Sequence, residues 1–72
     1  MKIRVMGFPQ GTSKDHIEKL FGVAGKVTEI KKKKGKNTAY VTMPHEQQAK
    51  KAVKLLNGAN LMGKKIVVEE CL

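Results

Sequence analysis

The sequence predicts a small α+β domain in which four strands and two helices follow one another in the order βαββαβ. Three segments alternate apolar and polar residues with a period of two, which is typical of strands with one buried face. Two other segments repeat apolar residues at helical spacing, and glycine, proline and asparagine separate the segments. Because 72 residues correspond to one domain, we expect residues 1–72 to form a single unit.

The first strand is predicted in the segment KIRVMGF, residues 2–8. Ile3 and Val5 fall on one side of this strand, and Arg4 and Met6 fall on the other. The turn residues of the following segment PQGTS end the strand.

The first helix is predicted to begin after Thr12 and Ser13, which are both favourable N-cap residues. Asp15 lies in the first turn, where a negative charge is stabilising. Four apolar residues recur at i, i+3, i+4 and i+7 and define the buried face of this helix: Ile17, Leu20, Phe21 and Ala24.

The second strand is predicted to start near Val27 and Ile30 and to run into the lysine-rich segment KKKKGK, residues 31–36. Gly35 and Asn37 mark a turn into the third strand, TAYVTM, residues 38–43. Alternation gives this third strand an inner and an outer face. The inner face carries Ala39, Val41 and Met43, and the outer face carries Thr38, Tyr40 and Thr42.

The second helix follows Pro44 and ends at Asn57-Gly58. Its apolar stripe consists of Ala49, Ala52, Val53 and Leu56. The last strand is predicted in KKIVVEE, residues 64–70, with Ile66 and Val68 on the inner face and with Lys65, Val67 and Glu69 on the outer face.

This order of elements predicts the ferredoxin-like arrangement, a four-stranded antiparallel sheet with two helices. Right-handed crossovers place both helices on one face of the sheet. The expected core consists of Ile3, Val5, Ile17, Leu20, Phe21, Val27, Ile30, Ala39, Val41, Met43, Ala49, Ala52, Val53, Leu56, Leu61, Ile66 and Val68. No helix remains for the other face, which we expect to be open and basic and to carry Arg4, Met6, Thr38, Tyr40, Thr42, Lys65 and Val67.

The charge balance indicates an acidic partner. Fifteen lysine and arginine residues face six aspartate and glutamate residues, which gives a formal net charge of +9. Such an excess predicts attraction to polyanions and a strong dependence on salt. All but one of the fifteen are lysine, a residue less suited than arginine to shaped recognition of phosphates or bases.

Several other classes of protein are disfavoured by the sequence. No run approaches the roughly 18 apolar residues of a membrane span, and the N-terminus lacks a signal-peptide pattern, so we expect no membrane partner. The single cysteine, Cys71, cannot form an internal disulfide, which fits an intracellular setting. His16 and His45 have no second ligand at metal spacing. We therefore expect no enzyme, no cofactor and no metal.

Three local features recur along the chain: the helix segment IEKLF is followed by Gly25 and Val27, residues 49–58 read A-x-x-A-V-x-x-L-N-G, and residues 61–68 read L-x-G-K-x-I-x-V. Together they resemble an RNA recognition motif (RRM), and the resemblance covers the whole chain from Ile3 to about Glu69. The resemblance implies the ferredoxin-like fold and an RNA-binding function.

The two sequence boxes of this family match only in part. The third-strand box runs basic, glycine, aromatic, small, aromatic, valine, any, aromatic. Residues 36–43 read KNTAYVTM, and the matching positions are Lys36, Ala39, Tyr40 and Val41. Thr38 replaces an aromatic residue that would face the RNA, and Met43 replaces one in the core. In the first strand Arg4 stands where an aromatic side chain usually stacks on a base, so Tyr40 is the one platform aromatic that remains.

The resemblance implies binding of single-stranded RNA on the open face and along the edge formed by Lys31 to Lys36, and the loss of two platform aromatics predicts that this binding is weak. Tyr40 would stack on a base, Arg4 would stack on a base or pair with phosphate, and the lysines would contact phosphates. The predicted contact residues are Tyr40, Arg4, Met6, Lys36, Thr38, Thr42, Lys31, Lys33, Lys34, Lys65 and Val67.

Each of these roles has a second interpretation. The lysines also suit an edge strand, where they block pairing between sheets. Tyr40 is also explained as a cross-strand packing residue, and Arg4 as the ion-pair partner of Glu69 or Glu29.

Two alternative functions remain beside RNA binding by an isolated monomer. The loss of two platform aromatics also fits an RRM-like module that binds another protein. A non-catalytic RRM within a larger RNA-processing or RNA-modifying protein is the other alternative.

Overall fold

The computed structural model describes residues 1–33 and 37–71. In these residues the elements are β1 (Lys2–Met6), α1 (Lys14–Gly22), β2 (Glu29–Lys32), β3 (Thr38–Thr42), α2 (Glu46–Leu56), β4 (Asn60–Leu61), β5 (Lys64–Lys65) and β6 (Val67–Cys71). Four strands form the main sheet in the order β2-β3-β1-β6, and every neighbouring pair is antiparallel. The predicted βαββαβ fold is confirmed, with a two-stranded sheet of β4 and β5 added before the last strand.

Both helices lie against the same face of the sheet. The Ser13 hydroxyl caps α1 by accepting a hydrogen bond from the His16 N–H at 3.3 Å. Helix α1 packs on β2, whereas α2 packs on β6 and β1. Within the described part of the chain, neither helix is long and apolar enough to span a bilayer.

The core between helices and sheet contains the side chains that alternation placed on the inner face. Its buried apolar members are Ile3, Val5, Phe8, Ile17, Phe21, Ala24, Ala39, Val41, Met43, Ala49, Ala52, Ile66 and Val68. Six further residues predicted for the core are only partly buried against it: Leu20, Val27, Ile30, Val53, Leu56 and Leu61. Such an incomplete enclosure is expected of a chain this short, which buries only about 60% of its unfolded surface.

Phe8 is a core residue that alternation fails to predict. Counting in steps of two from Arg4 and Met6 would place Phe8 on the outer face, yet its side chain is 1% exposed. The chain changes direction at Gly7, whose φ is +82°. A Cβ at Gly7 would also lie 3.1 Å from the Lys65 carbonyl oxygen, so glycine permits both the turn and the close approach.

The predicted last strand, residues 64–70, is corrected by the structure. Lys65 lies in β5 and pairs with Asn60, outside the four-stranded sheet. The chain turns back on itself here because the Ile66 N–H donates to the Ala59 carbonyl at 2.9 Å, and the Gly58 N–H donates to the Ile66 carbonyl at 2.8 Å. Pairing with β1 therefore begins only at Val67.

Lys32 points to the opposite side of the sheet from the other described lysines of its segment. It pairs with Ala39, an inner-face residue, and its Nζ lies 5.8 Å from the centroid of the Phe8 ring. The ammonium also donates a hydrogen bond to the Thr12 carbonyl. The prediction that the whole segment borders the open face is wrong for Lys32, because alternation continues through β2.

Lys32→Ala should lower the free energy of unfolding by about 1 kcal/mol, because it removes a cation–π contact and a hydrogen bond. Lys31→Ala is the matched control, since it makes the same substitution at the adjacent, exposed position of β2. Urea unfolding of both variants measures the difference. Equal losses of stability would contradict an anchoring role for Lys32.

Candidate nucleic-acid interface

The sheet face opposite the helices is uncovered. Across residues 1–33 and 37–71, the helices and the core lie on the other side, and no element is packed over this face. Its side chains are those of alternate residues in the four main strands, and they form rows that run across the sheet.

The central row crosses all four strands. Lys31 of β2 pairs with Tyr40 of β3, Tyr40 pairs with Arg4 of β1, and Arg4 pairs with Glu69 of β6. The row thus places a cation, an aromatic ring, a second cation and a carboxylate side by side. An aromatic ring flanked by cations suits a ligand with flat rings and negative charges.

The rows on either side differ in chemistry. One row contains Thr38, Met6 and Val67, whose side chains are either short or apolar. Val67 is 46% exposed there. The other row contains Glu29, Thr42, Lys2 and Cys71 and is mixed in charge.

An ion pair joins Arg4 to Glu69 within the central row. The Arg4 Nε donates to the Glu69 Oε1 at 2.8 Å, and Nη2 donates to the same oxygen. The hydrogen bond from Arg4 to Glu69, and then the attraction between the two charges, raises the pKa of Arg4 above its ordinary value. Of the two acidic partners expected for Arg4, the structure shows Glu69. Both side chains remain 42% exposed, so solvent screens the pair.

A second contact between side chains of this face joins Tyr40 to Lys33. The Nζ of Lys33 lies 5.8 Å from the centroid of the Tyr40 ring, at the outer range of a cation–π interaction. Tyr40 is only half-buried, because the cross-strand neighbours do not enclose its ring. Its ring and the ammonium of Lys33 are thus both available to a ligand that replaces their contact.

A shallow concavity lies beside Tyr40. It has a volume of about 200 Å³ and is lined by Arg4, Met6, Lys33, Thr38 and Tyr40. All five belong to the residues that the sequence assigns to RNA contact. No group of three or more His, Cys, Asp or Glu side chains suited to a metal ion occurs in the described residues.

The structure brings most of the predicted contact residues together on one face. Those that lie on it are Arg4, Met6, Lys31, Lys33, Thr38, Tyr40, Thr42 and Val67. Lys65 is set apart in β5. Lys34 and Lys36 lie outside the described residues. Glu69 also lies on this face, in contact with Arg4, and the predicted set omits it, although its alternation with Val67 already placed it on the outer side.

The sequence profile of the RNA recognition motif matches residues 3–67. The chain therefore belongs to the RRM family, whose members are RNA-binding modules. A comparison with curated proteins found no significant match.

Solved structures of RRM domains superimpose closely on this fold. The RRM domain of Puf1 from S. pombe is 24% identical, with a TM-score of 0.92 over 100% of this chain and 99% of that chain. The third RRM of Pes4 is 26% identical, with a TM-score of 0.92 over 99% and 90% of the two chains. The third RRM of Mip6 is 26% identical, with a TM-score of 0.85 over 94% and 89%.

A double-mutant cycle on Arg4→Gln and Glu69→Gln should show a small favourable coupling in unfolding at low salt that weakens as salt is added. The pair is exposed, so ions screen it. The pKa of Arg4 is raised in the folded protein. The stability that its charge contributes is therefore fully present below the pKa of the unfolded state, and it is lost only as pH rises through the higher pKa of the folded state. The coupling should therefore not change near neutral pH on account of Arg4.

The helical pair of Lys50 with Glu46 serves as the control for this cycle. Its single contact is 3.5 Å long, and both side chains are more exposed than those of Arg4 and Glu69. We expect a smaller coupling there. A larger coupling for the helical pair, or one for Arg4 and Glu69 that is unaffected by salt, would contradict this description.

Proposed function

We propose that this chain is a monomeric module that binds single-stranded RNA weakly through the uncovered sheet face and the basic edge at β2. The observation that carries the proposal is the central row, in which Tyr40 stands between Lys31 and Arg4 on a face that no described element covers. One copy of the chain supplies the ring and the cations, so binding requires no second copy.

Tyr40 is proposed to stack on one base. Stacking on an aromatic side chain contributes about 1–3 kcal/mol per base and tolerates any base, because every base has a flat face. A base that stacks on Tyr40 replaces the contact with Lys33. The released ammonium then lies next to the strand of RNA, where it can pair with phosphate.

Lys31 and Lys33 are proposed to hold the phosphates. Both belong to the outer face, and β2 forms one edge of the sheet. A backbone that crosses Tyr40 passes within reach of this edge. Protection of the edge against pairing with another sheet is compatible with the same role, since exposed lysines serve both. From the sequence alone, we extend the proposal to Lys34 and Lys36.

Weak affinity follows from what the face lacks. Two positions that the family fills with aromatic side chains are Arg4 and Thr38 here. Without two stacking surfaces, binding depends on one ring and on lysine charges, so we expect a dissociation constant on the order of tens of micromolar or weaker.

Tyr40→Ala should weaken binding of a short single-stranded RNA roughly fivefold to a hundredfold at every salt concentration, because one stacked base is lost. The slope of log affinity against log salt should stay unchanged, since no phosphate contact is removed. Fluorescence anisotropy over a salt series measures both quantities. An unchanged affinity would show that Tyr40 is a packing residue only.

The double variant Lys31→Ala/Lys33→Ala should flatten that slope by about 0.7 for each phosphate contact removed. The matched control is Lys51→Ala/Lys54→Ala, which removes the same charge from exposed positions of α2 on the other side of the molecule. Equal slopes for the two variants would mean that net charge alone attracts RNA, and this would contradict the proposed edge.

Glu69→Gln should strengthen RNA binding on the order of two- to fivefold at low salt. The substitution removes a negative charge from the binding face and releases Arg4 from an exposed ion pair of modest strength. Glu70→Gln is the control, because Glu70 is the exposed next residue of β6. It pairs with Ile3, so alternation assigns it to the other side of the strand from Glu69. The same gain for both variants would assign the effect to net charge.

A further inference from the structure

The backbone of β2 pairs with another strand on one side only, because β2 lies at the edge of the main sheet. The hydrogen bond from the Lys33 N–H to the Thr38 carbonyl, 2.9 Å long, fixes which residues of β2 bond to β3. In an antiparallel ladder such residues alternate with residues that point the other way, so Lys31 and Glu29 bond to β3. The N–H and C=O of Ile30 therefore point away from β3 and form the open edge of the strand.

A groove lies between this open edge and helix α1, which packs on β2. Its volume is about 220 Å³, and Val27 and Ile30 give it apolar surface that continues into the core. The groove shares no residue with the concavity beside Tyr40. We call it the edge groove, and its lining residues are Lys14, Asp15, Glu18, Val27, Thr28, Glu29 and Ile30.

The edge groove is acidic, although the chain as a whole has a net charge of +9. Asp15 and Glu18 line it from α1, and Glu29 lies at the edge itself, where alternation directs its side chain to the outer side. All three are exposed. Within residues 1–33 and 37–71 the ion pairs of acidic side chains belong to Glu46 and Glu69, so these three carboxylates are not paired there. The lining thus carries three carboxylates and one ammonium.

We propose that the edge groove binds an extended, basic segment of a partner protein, which adds to β2 as a further strand. The main chain of this segment bonds to the N–H and C=O of Ile30, and its alternate lysine or arginine side chains meet Asp15 and Glu18 across the groove. The lysines that protect β2 against pairing begin at Lys31, beyond the groove, so they leave this part of the edge accessible.

The charge of the groove selects a basic peptide over a nucleic acid. Its carboxylates repel phosphate and attract cationic side chains. The net charge of +9 repels a basic peptide from the molecule as a whole, so the attraction that binds it has to be local. The proposal does not depend on RNA binding, because the groove lies between the sheet edge and α1 and the RNA is assigned to the opposite face of the sheet.

The first experiment titrates the chain with an end-blocked peptide of about eight residues that alternates arginine and valine. A peptide of the same length that alternates glutamate and valine is the matched control. Amide hydrogen exchange of Ile30, followed by ¹⁵N NMR, reports on the open edge directly. At an arginine–valine concentration about four times the dissociation constant, this exchange should slow about fivefold, because only the free fraction of the protein exchanges. Unchanged exchange at Ile30, or equal slowing by the glutamate–valine peptide, would overturn the proposal.

Methylation of the peptide's own amide nitrogens separates strand pairing from attraction between charges. One arginine–valine peptide is N-methylated at its arginines and a second at its valines, so both keep every charge. In an added strand, only the amides of alternate residues point toward β2. One of the two methylated peptides should therefore lose binding while the other retains it. Equal affinities of the two peptides would show that charge alone holds the peptide, and strand addition would be ruled out.

Glu18→Gln and Glu70→Gln test the location of the site. Glu18 lines the groove, whereas Glu70 is an exposed carboxylate on β6, at the other edge of the sheet. Glu18→Gln should weaken binding of the arginine–valine peptide about twofold to fivefold, as the loss of an exposed ion pair does, and Glu70→Gln should leave it unchanged. Equal effects would assign the binding to net charge. A shift of the Ile30 amide with protein concentration alone would assign the groove to a second copy of the chain, and either result would overturn the proposal.

Discussion

Strand β1 is hydrogen-bonded on both sides, and its register determines what the rest of the molecule can do. Its five residues align β3 on one side and β6 on the other, so Ile3 and Val5 meet the buried residues of both neighbours. Arg4 and Met6 are thereby forced to the opposite face. Because both helices are needed to bury the inner side chains, nothing described in this short chain is left to cover the outer ones. The uncovered sheet face is therefore a direct consequence of the register of one strand and of the number of helices.

Much of the fold could be predicted from the sequence because alternation and helical spacing are local properties. The inner and outer faces of β1 and β3 followed from the period of two, and the order of elements followed from the turn residues between them. Phe8 is missing from the predicted core, and Lys65 was wrongly placed in the last strand of the main sheet, for one shared reason. Alternation holds only while the chain stays in the sheet, and it leaves the sheet at Gly7, where φ is +82°, and at Ile66, where the backbone pairs with Ala59. Neither departure from the sheet can be recognised from the periodicity of the sequence.

The candidate site was predictable to a similar depth. Period two placed Thr38, Tyr40 and Thr42 on one face, and the same count carried through the lysine segment would have separated Lys32 from Lys31 and Lys33. Contacts between side chains could not be predicted in this way. Whether Arg4 pairs with Glu69 or with Glu29 depends on which strand lies next to β1, and that neighbour is Glu69 in β6.

The contacts within the uncovered sheet face limit how strongly a net charge of +9 can attract a ligand there. Arg4 is paired with Glu69, and Lys33 lies over Tyr40, so a ligand must exchange these contacts for its own. The side chains that are offered to a ligand in this exchange differ in charge between the two edges of the sheet. At the β2 side Lys31 has a positive charge to offer, whereas at the β6 side the carboxylate of Glu69 would repel phosphate and could accept hydrogen bonds from base amino groups. On the proposed function, the sugar–phosphate backbone therefore follows β2 and β3, and the bases point toward β1 and β6. The same unevenness explains why lysine, which holds phosphate without shaped recognition, occupies one edge, while the one arginine stands at the centre where bases are expected.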